Sequence, residues 1–314
     1  MLNGYMIINI LNHSIFKKKP PILIDLGAGG DLKNDWNFLK KYSKIIKIDA
    51  DKRSISKYYD VEKNQIINKI ITPSKEKNIF YYTQSSFCSS ILKPNQNELK
   101  NWSFNKKFKV LKKKYLETTT LSRELNIKKI KYIDWIKFDL QGIDLTIFKS
   151  IPNKIRSSII AAEFEPGIYE FYKNENTPSE IFKFMYKDFY IEEIDFGKGV
   201  KGNSLIQNKL NFLQKKLLNK INKKTKIYMN IFYLRKNISL TKKNLRQILL
   251  FLCILINKKR YLEVLEICSK CKKIDPIFNS VENYIFNKIN ISFFYYLMSV
   301  PLIAFRKLKN FLLK

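Results

Sequence analysis

Two acids flank a glycine-rich stretch near the N-terminus. Asp25-Leu26-Gly27-Ala28-Gly29-Gly30 puts a carboxylate just before a glycine cluster, and Asp49 closes the next apolar run. Such a turn after a buried strand brings backbone N–H groups and a helix N-terminus close to a ligand, with glycine wherever a Cβ would block the approach. A dinucleotide fingerprint starting at Gly27 requires glycine at position 32, which is Leu32, and the Gly-Lys-Ser/Thr of a P-loop does not occur. What remains is the compact D-x-G-x-G-G turn associated with the methionine end of S-adenosylmethionine (SAM). On that reading Asp25 serves the ligand's ammonium group, directly or through water. The backbone from Gly27 to Gly29 admits the amino-acid moiety, and Asp49 accepts from the ribose hydroxyls. An isolated turn of this kind is also an ordinary strand-to-helix connection. Asp49, at the tip of the next strand, tips the balance to a nucleoside ligand.

The elements that must hold these residues follow from the patterning. Residues 21–26 are a short continuous apolar run between Pro20-Pro21 and the glycines, as in a strand buried on both faces of a parallel sheet. Leu32, Trp36 and Leu39 at helical spacing predict a crossover helix over 31–42, and 45–48 predicts the second strand. Further strands are expected over 65–71, 79–83, 107–116, 132–140, 158–164, 189–194 and 227–234, with helices at 144–149 and 179–187. The alternation indicates an α/β sheet. If 227–234 completes it, a catalytic domain covers 1–236. Residues 237–314 then form a basic amphipathic helical extension, with a helical hairpin over 244–257 and 260–272.

The segment Trp135-Ile136-Lys137-Phe138-Asp139-Leu140-Gln141-Gly142-Ile143-Asp144 resembles the most recognisable motif of the FkbM family of SAM-dependent methyltransferases. Phe87-Cys88-Ser89-Ser90, Thr118-Thr119-Thr120-Leu121 and Glu163-Phe164-Glu165 are similar to further family motifs, in the family's order, over about residues 20–195. Ser122, Asp144 and Ser150 depart from the family's usual residues. The resemblance implies a Rossmann-like class I methyltransferase fold, a mostly parallel seven-stranded sheet with helices on both faces, plus a small C-terminal α-helical extension. It also implies O-methylation of a hydroxyl, in a sugar of a cell-surface or exported glycan.

Ligands of an open α/β sheet gather at the carboxyl ends of its strands, so Asp25, Asp49, Asp139, Glu163 and Glu165 are expected at one crevice. Methyl transfer requires the acceptor oxygen held in line, water excluded and one proton removed. Asp139 is the first candidate base or hydroxyl ligand, with a helix cap as its plainer reading; Glu163 and Glu165 come next. These two alternate on a strand and face one way, so they could raise each other's pKa, share a divalent metal or pair with lysines, and no metal is assigned. Ser89, Ser90 and Gln141 are the candidate substrate-binding residues, set in hydroxyl-rich and glycine-flanked loops.

A formal charge of +32 suggests polyanions, but the lysines are spread throughout rather than gathered on one arm, so no specific nucleic acid is expected. The expected partners are a saccharide or other hydroxyl-bearing acceptor and, peripherally, anionic membrane. Residues 291–314, apolar then basic, suit either a membrane interface or packing on the domain. The rival reading is a basic peripheral protein docking on anionic membrane or nucleic acid, or an RNA methyltransferase. Four cysteines form no disulfide framework, and Cys268-x-x-Cys271 reads as two thiols on one helix face. The only histidine, His13, reads as structural. The N-terminal apolar run lacks the order of a signal peptide, and 291–305 is too short to span a bilayer. The expected location is the cytoplasm, including the inner face of the membrane.

Overall fold

The computed structural model describes residues 2–30, 34–53, 64–202 and 209–293. The chain divides into two compact units, residues 20–237 and residues 1–19 with 238–314.

The second unit is helical. α1 (Leu2–Leu11) and α2 (Ser14–Lys18) carry the N-terminal apolar run, and α1 packs against a helix over 245–257 in which eleven of thirteen side chains are buried. His13 caps α2 by accepting from the Ile15 N–H, and its Nε2 lies 3.3 Å from Asp275 Oδ2. The hairpin partner over 261–271 buries Cys268 and Cys271, and burial pushes the Cys268 thiol up to about 12. A thiol so protonated is a core side chain rather than a nucleophile. The amphipathic segment expected over 291–314 lies outside the described residues beyond 293.

In residues 20–237 the apolar runs become β1 (Ile22–Leu26) and β2 (Lys44–Ile48), paired in parallel. All five side chains of β1 are buried, as a strand covered on both faces requires. Between them no α-helix is described where 31–42 predicts one. Residues 31–33 lie outside the described residues, and 34–36 and 40–42 are 3-10 turns. Their hydrogen bonds run from Asn37, Leu39 and Tyr42 to the carbonyls three residues back. Trp36 and Leu39, both fully buried, are three apart, a spacing that serves a 3-10 turn as well as an α-helix.

β3 (Asn64–Ile67) ends at Asn68, whose side-chain amide donates to the Asp49 and Ala50 carbonyls, and the chain leaves the sheet there. The single strand expected over 65–71 is therefore two, with β4 (Ile70–Ile71) joining a small sheet of β5 (Lys77–Thr83) and β6 (Val110–Thr119) in the order β4-β6-β5. The short α3 (Gln96–Leu99) lies between β5 and β6, and α4 (Leu121–Ile127) leads into β7 (Trp135–Phe138). Then come α5 (Asp144–Ser150), α6 (Asn153–Arg156), β8 (Ala161–Phe164), α7 (Pro178–Met185), β9 (Phe189–Gly199), α8 (Phe212–Ile221) and β10 (Thr225–Arg235).

The main sheet has seven strands in the order β3-β2-β1-β7-β8-β10-β9. Only β10 is reversed, antiparallel to both β8 and β9. This is a Rossmann-like class I methyltransferase sheet. One face packs against α4, α5 and α7 through Leu121, Leu125, Leu145, Phe148, Ile181 and Met185. The opposite face meets the 3-10 segment, where Trp36 sits edge-on to Trp135 at 6.1 Å.

The order places β1 between β2 and β7, so their C-terminal ends lie side by side. Gly27 shows how closely: with φ +74, a Cβ built on it would stand 1.8 Å from the Asp139 carbonyl oxygen. Gly27 is therefore required by the neighbouring strand end, whatever it does for a ligand. Gly27→Ala combines a left-handed Cβ, roughly 1–2 kcal/mol, with overpacking of roughly 1–3 kcal/mol. We expect it to lower unfolding free energy by about 3 kcal/mol in denaturant titration; an unchanged midpoint would remove the close crossing.

Candidate active site

A cleft opens at the C-terminal ends of β1, β2 and β7. Gly27, Gly29, Asp49, Asp139 and Gln141 line it on the side of the main sheet. Ile70, Ile71, Phe80, Phe87 and Ser89 line it on the side of the small sheet and its following loop. The cleft is thus apolar with a few polar groups at its edges.

Asp49 follows β2, and its Oδ1 accepts the Asp51 N–H at 2.7 Å, fixing the carboxylate at the strand tip. Asp25 lies one step below, inside β1, and does not line the cleft. It is buried, with Oδ1 3.7 Å from Lys137 Nζ, an ion-pair distance too long for a hydrogen bond. Burial raises its pKa against the pull of Lys137 and Lys47.

Asp139 is gripped on both oxygens. Gln141 Nε2 donates to Oδ1 at 2.6 Å, and Lys137 Nζ approaches Oδ2 at 3.3 Å. The Gln141 amide is itself oriented by Tyr172, whose hydroxyl lies 2.9 Å from Oε1 and 2.8 Å from the Cys88 carbonyl oxygen. Gln141 holds φ +55, and Ser90 Oγ donates to its backbone carbonyl at 3.1 Å. Ser89 Oγ donates to Asp51 Oδ2 at 2.9 Å. Both serines thus brace loops at the cleft.

The two glutamates part company. Glu163 Oε1 accepts from the Trp135 indole N–H at 2.7 Å, deep in the sheet. Glu165, two residues on, is half-buried, and burial together with the Asp139 charge raises its carboxyl to about 9. Burial and then the Glu165 charge raise the hydroxyl of Tyr228 on β10. Among the described residues no group of three metal-ligating side chains forms a metal site.

Several residues at the site carried no prior assignment. Lys137 was legible, since it precedes Asp139 by two on one strand and shares its face. Asp51 pairs with Arg53 Nη2 at 2.6 Å; burial raises its pKa but the Arg53 and Ser89 hydrogen bonds outweigh this and lower it. Lys69, on the cleft wall, pairs with the buried Glu124 at 2.9 Å. Tyr172 and Tyr228 come from distant segments, and nothing local marks them.

The Methyltransferase FkbM domain model matches residues 30–196, more than half of the chain. The chain belongs to the FkbM methyltransferase family. The match begins just past the glycine turn and includes Asp49, the serines, Asp139 and both glutamates. No curated protein matches this methyltransferase. Two solved structures are similar at low identity. One is described as an antibiotic related methyltransferase, 12% identical over 70% of this chain and 92% of that one. The other is the plantazolicin methyltransferase BpumL in complex with a triazolic desmethylPZN analog and SAH, 10% identical over 75% of this chain and 86% of that one. Both have a TM-score of 0.28, at which neither carries an argument.

Asp144 opens α5 and holds the turn after Asp139 by accepting the Leu140 N–H at 2.8 Å. Burial raises its pKa to about 7, from an ordinary value of 3.8. Between these two values the folded state binds a proton that the unfolded chain has released, so this contribution to stability is full below about pH 4 and lost as pH rises through 7. We expect Asp144→Asn, which imitates the neutral acid, to flatten the decline in Tm from pH 4 to 7.5. A decline equally steep in the variant would place the titration elsewhere.

Proposed function

We propose that this FkbM methyltransferase takes SAM in the cleft and methylates a hydroxyl oxygen, in a sugar of a cell-surface or exported glycan. The observation that carries the reading is that Asp49, at the tip of β2, and Asp139, after β7, line one cleft with Gly27 and Gly29. Asp49 suits a ribose diol as a fixed carboxylate acceptor, the apolar Ile70, Ile71 and Phe80 suit a purine, and the open backbone at Gly29 suits the methionine end. Bound there, SAM would supply an electrophilic methyl group. The protein's part is to hold the acceptor oxygen in line, keep water out and take one proton.

Asp139 is placed for the last task, lining the cleft with its carboxylate fixed by Gln141 and Lys137. Burial and the Asp139 charge raise the nearby Glu165 carboxyl, which limits the negative charge gathered around Asp139. Ser86 at the opposite wall supplies a hydroxyl of the kind that binds a polyol. Asp25 supports this arrangement through Lys137 rather than by lining the cleft. Cytoplasmic residence is part of the proposal, as the compartment that supplies SAM.

Isothermal calorimetry with SAM and its demethylated product tests the cofactor. Binding should weaken roughly tenfold to a hundredfold in Asp49→Ala, the loss of one or two hydrogen bonds to a charged group; folded wild-type protein that takes up neither compound would refute the reading. Asp139→Asn should keep cofactor affinity and lose turnover on a glycan acceptor by roughly a hundredfold to ten-thousandfold. Undiminished turnover would move the base elsewhere.

A further inference from the structure

α8 (Phe212–Ile221), which joins β9 to β10, has no buried residue among its described side chains. Its N-terminus is satisfied locally by a capping box, in which Asn211 Oδ1 accepts the Gln214 N–H at 2.8 Å and Gln214 Oε1 accepts the Asn211 N–H at 2.9 Å. Leu213, Leu217 and Ile221 recur every four residues, so they form one stripe, and they are 73%, 58% and 69% exposed. Phe212 adds a ring that is 77% exposed at the helix start. Short helices are stabilised chiefly by packing an apolar face, and here that face is open.

The charge around the stripe indicates its occupant. Lys216 and Lys220 flank the stripe and Lys215 lies on the far side of α8, and seven lysines fall between positions 209 and 226. No Asp or Glu occurs anywhere between Asp195 and Glu263. A second copy of α8 would bring lysine against lysine, and a nucleic acid would leave leucine and isoleucine uncovered. An anionic bilayer answers both features at once, with acyl chains for the stripe and phosphate headgroups for the ammonium groups. We propose that α8 docks the protein on an anionic membrane surface, lying in the plane of the interface. In the chain it lies between the paired strands β9 and β10. Among the described residues no helix is long and apolar enough to cross a bilayer, so the contact is peripheral. This inference stands apart from the SAM reading.

Co-sedimentation of the full chain with vesicles tests it, comparing phosphatidylglycerol-containing with pure phosphatidylcholine vesicles. Binding should be about tenfold or more stronger to the anionic vesicles and fall as salt rises. Leu213→Asp with Leu217→Asp should remove about tenfold or more of it, at unchanged Tm because both sites are exposed. Lys215→Glu with Lys216→Glu and Lys220→Glu should do the same. Absence of vesicle binding by folded wild-type protein overturns the proposal. So does binding that survives both sets of substitutions, which would place the contact on another element. A wild-type dimer that the leucine substitutions dissociate, without vesicle binding, would assign the stripe to a second copy instead.

Discussion

A row of buried charge runs across the centre of the sheet. Lys47, Asp25, Lys137 and Glu163 are in register on β2, β1, β7 and β8, alternating in sign from strand to strand on one face. Lys47, Asp25 and Glu163 are nearly inaccessible. Removing ions from water is costly, and a row of this kind persists only if each member is compensated. Lys137 is the hub. Burial lowers its pKa, but Asp139, Asp25, Glu165 and Glu163 together raise it further. Two lysines face four carboxyl groups, an excess of two negative charges. The two carboxyls with raised pKa values, Asp25 and Glu165, are shifted in the direction that relieves it.

The site inherits its geometry from that row. Lys47 Nζ donates to the Gly30 carbonyl at 2.8 Å and pins the glycine turn, while Lys137 pins Asp139. The cofactor turn and the Asp139 turn are then held against each other by backbone contact at Gly27. Loss of either lysine would leave carboxylates buried without a counter-charge, which is worse than never having had the pair. The electrostatics that support a proton-accepting carboxylate and the packing that shapes the cleft are therefore one arrangement.

Much of this was legible from short-range pattern. Continuous apolar runs marked β1, β2 and β8, because burial on both faces leaves the same mark in each, and the Asp139 motif located the strand that leads to the candidate base. The crossover was misjudged because Trp36 and Leu39 fit two helix types, and position 68 hid a break that depends on a side-chain amide reaching back to β2. Asp25 looked like a ligand residue because an acid before glycines is one in many turns. Its place beneath the cleft depends on Lys137, more than a hundred residues away in sequence. Glu163 and Glu165 share a strand face, as alternation requires, yet the Trp135 indole engages one and Asp139 the other. Such separations follow from long-range pairing, which no local spacing encodes.

The small sheet β4-β6-β5 supplies one wall of the cleft yet takes no part in the seven-stranded pairing. In sequence it occupies a single insertion between β3 and α4. The charged row, the glycine crossing and the Asp139 turn all lie on the other side. The insertion nevertheless reaches across to the Asp139 turn, since the Cys88 carbonyl meets the Tyr172 hydroxyl that orients Gln141 and Ser90 Oγ donates to the Gln141 carbonyl. Wall and carboxylate are therefore tied together, and a change of loop in the insertion is felt at Asp139.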